Sequence, residues 1–364
     1  MNKAYISLGS NEGQRLKNIQ EAVVHIQKKI GTLTKLSSLY KTPSWGFDGP
    51  EFINTCIEVQ TPLSPTLVLD QLLKIELKLG RVRTVQSGYI SRNIDLDLLF
   101  YEDLVLESEG LILPHPRLAL RNFILIPMCE MEPGFVHSGL GKSMEDLLKI
   151  CKDHSQLHKM PLHQWAPDLF DADQFLAFEG NIGVGKTSLA QKIASDYGVP
   201  KLLENFTQNP YLEKFYDQPQ RFALPLENYF LEDRFRQFRD FKQKIGSADH
   251  SFFKSLIFAQ INLSKTDFLD FKQNYERLSA QLEVPQKIIF LYKPIEEVWL
   301  QIKSRGRSYE QNIRRGYLQE IELGYQNFLK SEKTIPHMSI DLTDIDFVNN
   351  EMDYQLVLQR IKAF

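Results

Sequence analysis

The sequence predicts two domains, an α+β sandwich followed by a P-loop α/β doubly wound parallel sheet. Three observations carry this expectation. The chain has 364 residues, a length that suggests two domains or three. Residues 180–187 read Gly180-Asn181-Ile182-Gly183-Val184-Gly185-Lys186-Thr187, a complete G-x-x-x-x-G-K-[ST] phosphate loop. Such a loop follows the first strand of its domain, yet enough residues precede this one to make a domain of their own.

Composition narrows the class. A 43% hydrophobic and 24% charged chain is an ordinary globular one. A net charge of −3 argues against binding nucleic acid by bulk electrostatics. Cys56, Cys129 and Cys151 form no C-x-x-C pair, which fits a reducing, cytoplasmic setting and neither a disulfide framework nor a zinc site. Met1-Asn2-Lys3 runs straight into a strand-like segment, so no signal peptide is expected. No apolar run approaches the ~20 residues of a membrane span. The partners expected are small molecules, with no nucleic acid and no membrane.

In chain order, Ala4-Tyr5-Ile6-Ser7-Leu8 reads as a strand. Residues 14–30 read as a helix, with Leu16, Ile19, Val23, Ile26 and Ile30 near helical spacing. Strand-like material follows at 33–42 and 52–60. Ser64-Pro65 opens a second leucine-rich helix, and a strand covers 94–101. The order βαββαβ predicts a ferredoxin-like α+β sandwich. Two prolines without clean periodicity mark a linker over 161–173, within which Trp165 and Phe170 are apolar enough to pack on a domain. The expected domains are therefore 1–160 and 174–364. In the second, Gln174 to Glu179 is the strand before the P-loop, and Ser188 to Ala194 is the helix after it.

The chemistry of the first half centres on Asp95 and Asp97. Strand alternation puts both carboxylates on one face and Ile94, Leu96 and Leu98 on the other. Two adjacent acids repel unless a cation lies between them, which suits Mg²⁺; a polar solvent face is the alternative. Arg81, Arg83 and Arg92 precede them, and Pro114-His115-Pro116-Arg117 and Arg121 follow. Carboxylates ringed by arginine and histidine describe a polyphosphate site.

On these residues the first half resembles the 6-hydroxymethyl-7,8-dihydropterin pyrophosphokinases of folate biosynthesis. The resemblance rests on Ala4 to Asn11, Tyr40-Lys41-Thr42-Pro43, Phe52-Ile53-Asn54, Ile75-Glu76, Gly80-Arg81-Val82-Arg83, Arg92 to Asp97, Pro114-His115-Pro116 and Arg121-Asn122-Phe123. It implies pyrophosphate transfer from ATP to a pterin hydroxymethyl group. Asp95 and Asp97 would hold two Mg²⁺ ions, and Arg81 and Arg92 would stabilise the transferring group. His115 and Arg121 would contact nucleotide phosphates. Asn54 would read the pterin edge, Phe52 and Phe123 would sandwich its ring, and Thr42, Pro43 and Trp45 would line the pocket. One departure stands at Gly88-Tyr89-Ile90-Ser91, where the family carries Trp-Gly-Pro in a closing loop; loop closure and kcat are what it puts at stake.

In the second half the P-loop backbone would cradle phosphates, Lys186 would charge-pair with the β/γ-phosphates, and Thr187 would hold Mg²⁺. Lys201-Leu202-Leu203-Glu204 reads as a short strand ending in an acid, a position facing the ligand crevice, which makes Glu204 a candidate general base. Arg305-Gly306-Arg307 suits a lid over phosphates.

These residues resemble the deoxynucleoside kinases of the deoxycytidine and deoxyguanosine kinase group, as do Asn209 to Tyr216, Asp233-Arg234-Phe235, Phe258-Ala259, Glu310-Gln311 and Tyr317-Leu318. The resemblance implies 5′-phosphorylation of a deoxynucleoside by ATP, and a possible homodimer through this domain. Glu204 would be the base, Tyr216 and Glu310 would hold the 3′-hydroxyl, and Arg305 and Arg307 would grip phosphates. Two departures follow. Glu227 stands where the family has a base-reading glutamine, and it cannot reproduce paired donor and acceptor bonds unless protonated. Asp249-His250-Ser251 replaces an acidic-Arg-Ser motif, so the catalytic arginine is missing. Asp249 stays a candidate for Mg²⁺, His250 for a partial substitute and Arg234 for the missing charge. The expected function is thus a bifunctional enzyme. The alternative is an active pterin pyrophosphokinase fused to a catalytically weak, nucleotide-sensing or dimerising kinase-like module.

Overall fold

A computed structural model describes residues 1–44, 47–81, 91–170, 174–282 and 287–364. The chain forms two compact units, Met1–Leu169 with Asn349–Phe364, and Phe170–Val348.

The first unit is built on a six-stranded antiparallel sheet. Its order is His158–Lys159, Tyr40–Thr42, Phe52–Thr61, Asn2–Ser10 and Asp95–Tyr101, and Thr32–Leu36 also pairs with Phe52–Thr61. Two helices, Arg15–Lys29 and Pro65–Lys78, occur where apolar periodicity predicts them. The Ser64 side chain accepts from Leu67 N and caps the second. The register sets the site. Gly9 lies opposite Asn54 on one neighbour and Asp95 on the other. Alternation holds on the last strand, where Leu96 and Leu98 are buried and Asp95 and Asp97 are half-buried.

Two expected boundaries need correction. Residues 161–169 are folded parts of this unit, and no spacer. Leu162–Trp165 is a 3-10 turn, Trp165 is fully buried, and its Nε1 donates to Ser37 O at 3.0 Å. A tryptophan that finds both a core and an acceptor anchors the segment. The second correction lies at the other end. The helix Glu351–Ala363 packs against Arg15–Lys29, Thr32–Leu36 and Leu162–Trp165. Arg360 Nε donates to Leu33 O at 2.8 Å, Gln359 Nε2 to Trp165 O at 2.6 Å, and Gln27 Nε2 to Gln359 O at 3.0 Å. Residues 349–364 therefore belong with the first unit and not with the domain expected over 174–364.

The second unit holds a five-stranded parallel sheet in the order Lys201–Leu202, Gly246–Ala248, Phe175–Gly180, Lys287–Tyr292, His337–Asp341. All six residues of Phe175–Gly180 are buried, as a central strand requires. It feeds the P-loop and then the helix Lys186–Tyr197. Gly185 sits at φ +109°, and a Cβ there would lie 2.9 Å from the Phe347 ring, so the loop's last turn admits only glycine. The helices Pro219–Asp240 and Lys254–Asn262 pack on each other. Among the described residues, no helix is long and apolar enough to cross a membrane.

Candidate functional sites

In the first unit the two acids differ in company. Asp95 is held by two guanidiniums: Arg81 bonds its Oδ1, and Arg92 Nη2 lies 2.9 Å from its Oδ2. Arg81 also pairs with Glu76, a buried carboxylate that accepts from Leu96 N at 2.8 Å. Asp97 lies 3.8 Å from Arg121 Nη1. Burial and the charge of Asp95 push the Asp97 carboxyl up to about 6, against Arg121 and Arg92. A raised acid beside a second carboxylate is the state a bound cation would relieve, so the pair fits Mg²⁺. Among the described residues no group of three or more histidine, cysteine or acidic side chains is placed to hold a metal. Burial, with Arg121 and Arg117 nearby, pushes His115 down to about 4, so its ring is neutral near pH 7.

The expected pterin residues divide. Asn54 is buried and its Nδ2 donates to Thr42 Oγ1 at 2.6 Å. Its Oδ1 would lie 2.5 Å from a Cβ on Gly9, so Gly9 makes room for it. Phe52 pairs across the sheet with Thr42, and Pro43 follows as an exposed residue. Phe52 lies under the Arg92 guanidinium at 5.7 Å, and Phe123 under that of Arg121 at 5.4 Å. The structure therefore puts each ring beside one site arginine. Trp45, Arg83 and the departure at Gly88-Tyr89-Ile90 lie outside the described residues.

In the second unit the expected residues converge around the P-loop. Lys186 Nζ donates to Gly180 O at 2.9 Å and Asn181 O at 2.7 Å. Burial, with the like charge of Lys254, pushes Lys186 down to about 8. Asn181 Nδ2 donates to Leu318 O at 2.8 Å, and Val184 N to Asn181 O at 3.3 Å, while Ile182 joins a core cluster and Gly183 takes φ +85°. Thr187 Oγ1 donates to Asp249 Oδ2 at 2.6 Å. Asp249 Oδ1 accepts from Glu204 N at 2.9 Å, which ties the acid of one strand end to that of its neighbour.

Glu204 is gripped from two sides. Arg234 donates to its Oε1 through Nε at 2.9 Å and Nη2 at 2.6 Å, and Lys254 Nζ reaches Oε2 at 2.6 Å. Burial alone would raise this carboxyl; Lys254 and then Arg234 outweigh it and hold Glu204 well below its ordinary range. His250 is turned elsewhere. It is fully buried, its Nδ1 lies 3.1 Å from Asp249 Oδ1, and its ring packs edge-on against Phe238. The cation that touches Glu204 beside Arg234 is Lys254. Sequence reasoning missed it, although a signal existed: one lysine in the otherwise uncharged run Phe252-Phe253-Lys254-Ser255-Leu256-Ile257-Phe258.

The two arginines expected in a lid fold onto one acid. Arg305 Nη2 lies 2.5 Å and Arg307 Nη1 3.5 Å from the Glu310 carboxylate, which is buried. The helix Leu212–Asp217, which carries Tyr216, packs on the turn Ser308–Glu310, and burial and Glu310 raise the Tyr216 hydroxyl. Glu227 is buried and accepts from Asn262 Nδ2 at 2.7 Å. Burial pushes it up to about 7, against Arg234 and Asn262.

A phosphate loop followed by a cation-held acid at the next strand end defines a P-loop phosphotransferase in this unit. Residues 176–364 match the family model Deoxynucleoside kinase, and residues 5–133 the model 7,8-dihydro-6-hydroxymethylpterin-pyrophosphokinase. The deoxyguanosine kinase of Bacillus subtilis is 32% identical over 198 residues, which is 52% of this chain and 96% of that protein. The 2-amino-4-hydroxy-6-hydroxymethyldihydropteridine pyrophosphokinase of Synechocystis is 37% identical over 147 residues, 40% of this chain and 74% of that protein. The folic acid synthesis protein fol1 of Pneumocystis carinii is 40% identical over 151 residues, 41% of this chain, and the match spans only 20% of that longer protein. The chain belongs to the deoxynucleoside kinase family through residues 176–364 and to the hydroxymethylpterin pyrophosphokinase family through residues 5–133. It is an enzyme that joins the two kinase domains in one polypeptide.

Proposed function

We propose that the first unit transfers pyrophosphate from ATP to 6-hydroxymethyl-7,8-dihydropterin and that the second transfers the γ-phosphoryl group of ATP to the 5′-hydroxyl of a deoxynucleoside. The strand order of the first unit supports reading it as a ferredoxin-like sandwich, and that of the second a doubly wound sheet. Three free thiols support a reducing, cytoplasmic setting. Association into a homodimer through the second unit belongs to the same reading.

In the first reaction the hydroxymethyl oxygen attacks the β-phosphorus, the α,β-bridging bond breaks, and AMP leaves. Asp95 and Asp97 would hold Mg²⁺ across the triphosphate, and the metal would neutralise its charge. Arg81 and Arg92, both paired with Asp95, would stabilise the transferring group. Arg121 and the neutral His115 would contact phosphate oxygens, and Asn54, Thr42, Pro43, Phe52, Phe123 and Trp45 would receive the pterin.

In the second reaction the 5′-oxygen attacks the γ-phosphorus and ADP leaves, while Glu204 accepts the hydroxyl proton. A carboxylate held by Arg234 and Lys254 is a weak base, but a loose phosphoryl-transfer transition state asks for little proton removal and much positioning. Lys186 and the loop amides of Gly180 to Thr187 would cradle the phosphates, with Thr187 and Asp249 beside Mg²⁺. Arg305 and Arg307 would move from Glu310 to the phosphates, freeing Glu310 to join Tyr216 at the 3′-hydroxyl. The observation that carries this reading is the Arg234–Glu204–Lys254 cluster, tied through Asp249 to Thr187 of the P-loop. A weak sensing module has no use for it.

Two assays test the pair. ADP release with each of the four deoxynucleosides should occur with the natural chain and vanish in Lys186→Ala; its absence throughout would sink the kinase reading. AMP formation with the hydroxymethylpterin should vanish in Asp97→Ala, and a natural rate there would remove the metal assignment.

A further inference from the structure

The position after Asp249 holds a histidine where the family's motif has an arginine, so another group must meet the charge on a transferred phosphoryl group. His250 does not reach it. The residue is fully buried, and its Nδ1 lies 3.1 Å from Asp249 Oδ1. Its Nε2 finds no hydrogen-bond partner among the described residues, and its ring packs edge-on against Phe238 with centroids 5.4 Å apart.

Arg234 is engaged along its fork. Its Nε and Nη2 hold Glu204 Oε1 at 2.9 and 2.6 Å, its Nη1 donates to Ser255 Oγ at 2.8 Å, and its guanidinium stands 4.8 Å from the Phe230 centroid. A planar fork bound on several sides clamps the acid and does not follow a moving group.

Lys254 differs on each count. It is 6% exposed, and among the described residues its ammonium makes one hydrogen bond, to Glu204 Oε2 at 2.6 Å. An ammonium carries three donors, so two of them meet no protein acceptor there. Buried donors without acceptors are costly. Lys254 is also the first residue of the helix Lys254–Asn262, the end at which the helix dipole disfavours a cation. Arg234 already matches the charge of Glu204, so the three side chains together carry one positive charge in excess. A purely structural ion pair gives no reason for that excess, since even a matched buried pair adds little net stability. The excess charge touches the proposed base and is felt as a like charge by Lys186 of the P-loop.

We infer that Lys254 is a catalytic residue of the phosphoryl transfer and takes the place of the missing arginine, its ammonium donating to the equatorial oxygens of the γ-phosphoryl group. The inference rests on the kinase reading above. As the 5′-oxygen bonds to the γ-phosphorus, the β,γ-bridging bond breaks and ADP leaves with its electron pair. Glu204 takes the hydroxyl proton. Lys254 stays protonated throughout and turns its remaining N–H groups to the oxygens over which charge is spread. The cation has moved along the chain from position 250 to position 254.

The test exchanges the two positions in the full chain, as Lys254→Met, His250→Arg and the double variant, with ADP release followed for whichever deoxynucleoside turns over best. Lys254→Met should lower kcat roughly 100-fold, with KM changed far less. His250→Arg should recover about tenfold of that loss in the Lys254→Met chain and give no gain where Lys254 is present, a coupling expected of two cations that serve one purpose. Thermal melting checks that each variant folds. If His250→Arg does not, Lys254→Ala decides: added ethylammonium should raise its kcat by about tenfold over sodium at equal ionic strength, because it returns a preorganised charge to the vacated space. Additive effects in the folded double variant, or no response to ethylammonium, overturn the inference and leave the kinase reading standing. No ADP release by the natural chain with any deoxynucleoside sinks the kinase reading and the inference with it.

Discussion

Replacing Lys254 with methionine isolates a buried cation on Glu204 that the sequence reading did not assign. Lys254 is buried, lies 2.6 Å from Glu204 Oε2 and stands over the Phe258 ring. Methionine keeps most of the volume and removes the charge. Glu204 retains Arg234 on its other oxygen, so the carboxylate is half-released and not orphaned. Removing one preorganised charge that faces reacting oxygens costs about 3–4 kcal/mol of transition-state stabilisation, which corresponds to roughly 100- to 1000-fold in kcat. The retained Arg234 argues for the lower figure. Lys254 is also the largest of the charges depressing Glu204, so its loss raises that carboxyl. The sign follows directly. As the proposed base Glu204 would act ionised, and a higher folded pKa makes activity fall away at a higher pH on the acid side. The assay is steady-state ADP release across pH with whichever deoxynucleoside turns over best. The expected result is a kcat about 100-fold lower, with a nucleoside KM changed far less, an acid limb moved upward, and partial rescue in Lys254→Arg. A kcat within about twofold of the natural chain, with an unmoved acid limb, would refute the reasoning.

Three further outcomes are expected. Gly185→Ala should strip nucleotide binding from the second unit and lower its melting temperature, because a positive φ costs about 1–3 kcal/mol and the new methyl meets Phe347; unchanged ATP binding by calorimetry would contradict this. A chain ending at Val348 should lose pterin-dependent AMP formation although every proposed pterin and metal residue remains. Buried Tyr354, Leu356, Val357, Leu358 and Ile361 together carry roughly 8–15 kcal/mol as an upper bound, comparable with the ~5–15 kcal/mol stability of a whole domain; full activity and an unshifted melt would show that the helix is dispensable. KM for whichever deoxynucleoside turns over best should change as pH falls through about 7, since Glu227, at the position where the family reads the base, then gains a proton and loses an acceptor. The groups facing it are Asn262, Arg234, Lys254, Glu204, Tyr216 and Tyr317, and a flat KM in the natural chain, no different from that of Glu227→Gln, would count against the assignment.

Much of this architecture was legible because its signals are local. The P-loop is contiguous, and Glu204 follows a short strand whose neighbours announce it. Asp95 and Asp97 share a strand face because alternation leaves no choice. What escaped depends on distant partners. Lys254 looked like one lysine among many, and only the packing of two helices brings it to Glu204. Asn262 became visible through Glu227, 35 residues away in the chain. Trp165 lay in a proline-rich stretch without periodicity, and its anchor is a carbonyl at Ser37. Helix Glu351–Ala363 is buried along eight successive residues, Tyr354 to Ile361, and so carries no amphipathic stripe to declare which core it fills.

The place of that helix sets an order of assembly. Chains emerge from the ribosome N-terminus first, and domains ordinarily fold as they appear. Here the first unit is made early but cannot close over Arg15–Lys29 and Thr32–Leu36 until residues 351–363 have been synthesised. At 5–20 residues per second, the wait after Leu169 is about 10–40 s. The second unit's segment, Phe170–Val348, is complete within that interval. The unit translated first is therefore the one finished last, and its uncovered apolar face is a surface for chaperones to guard meanwhile.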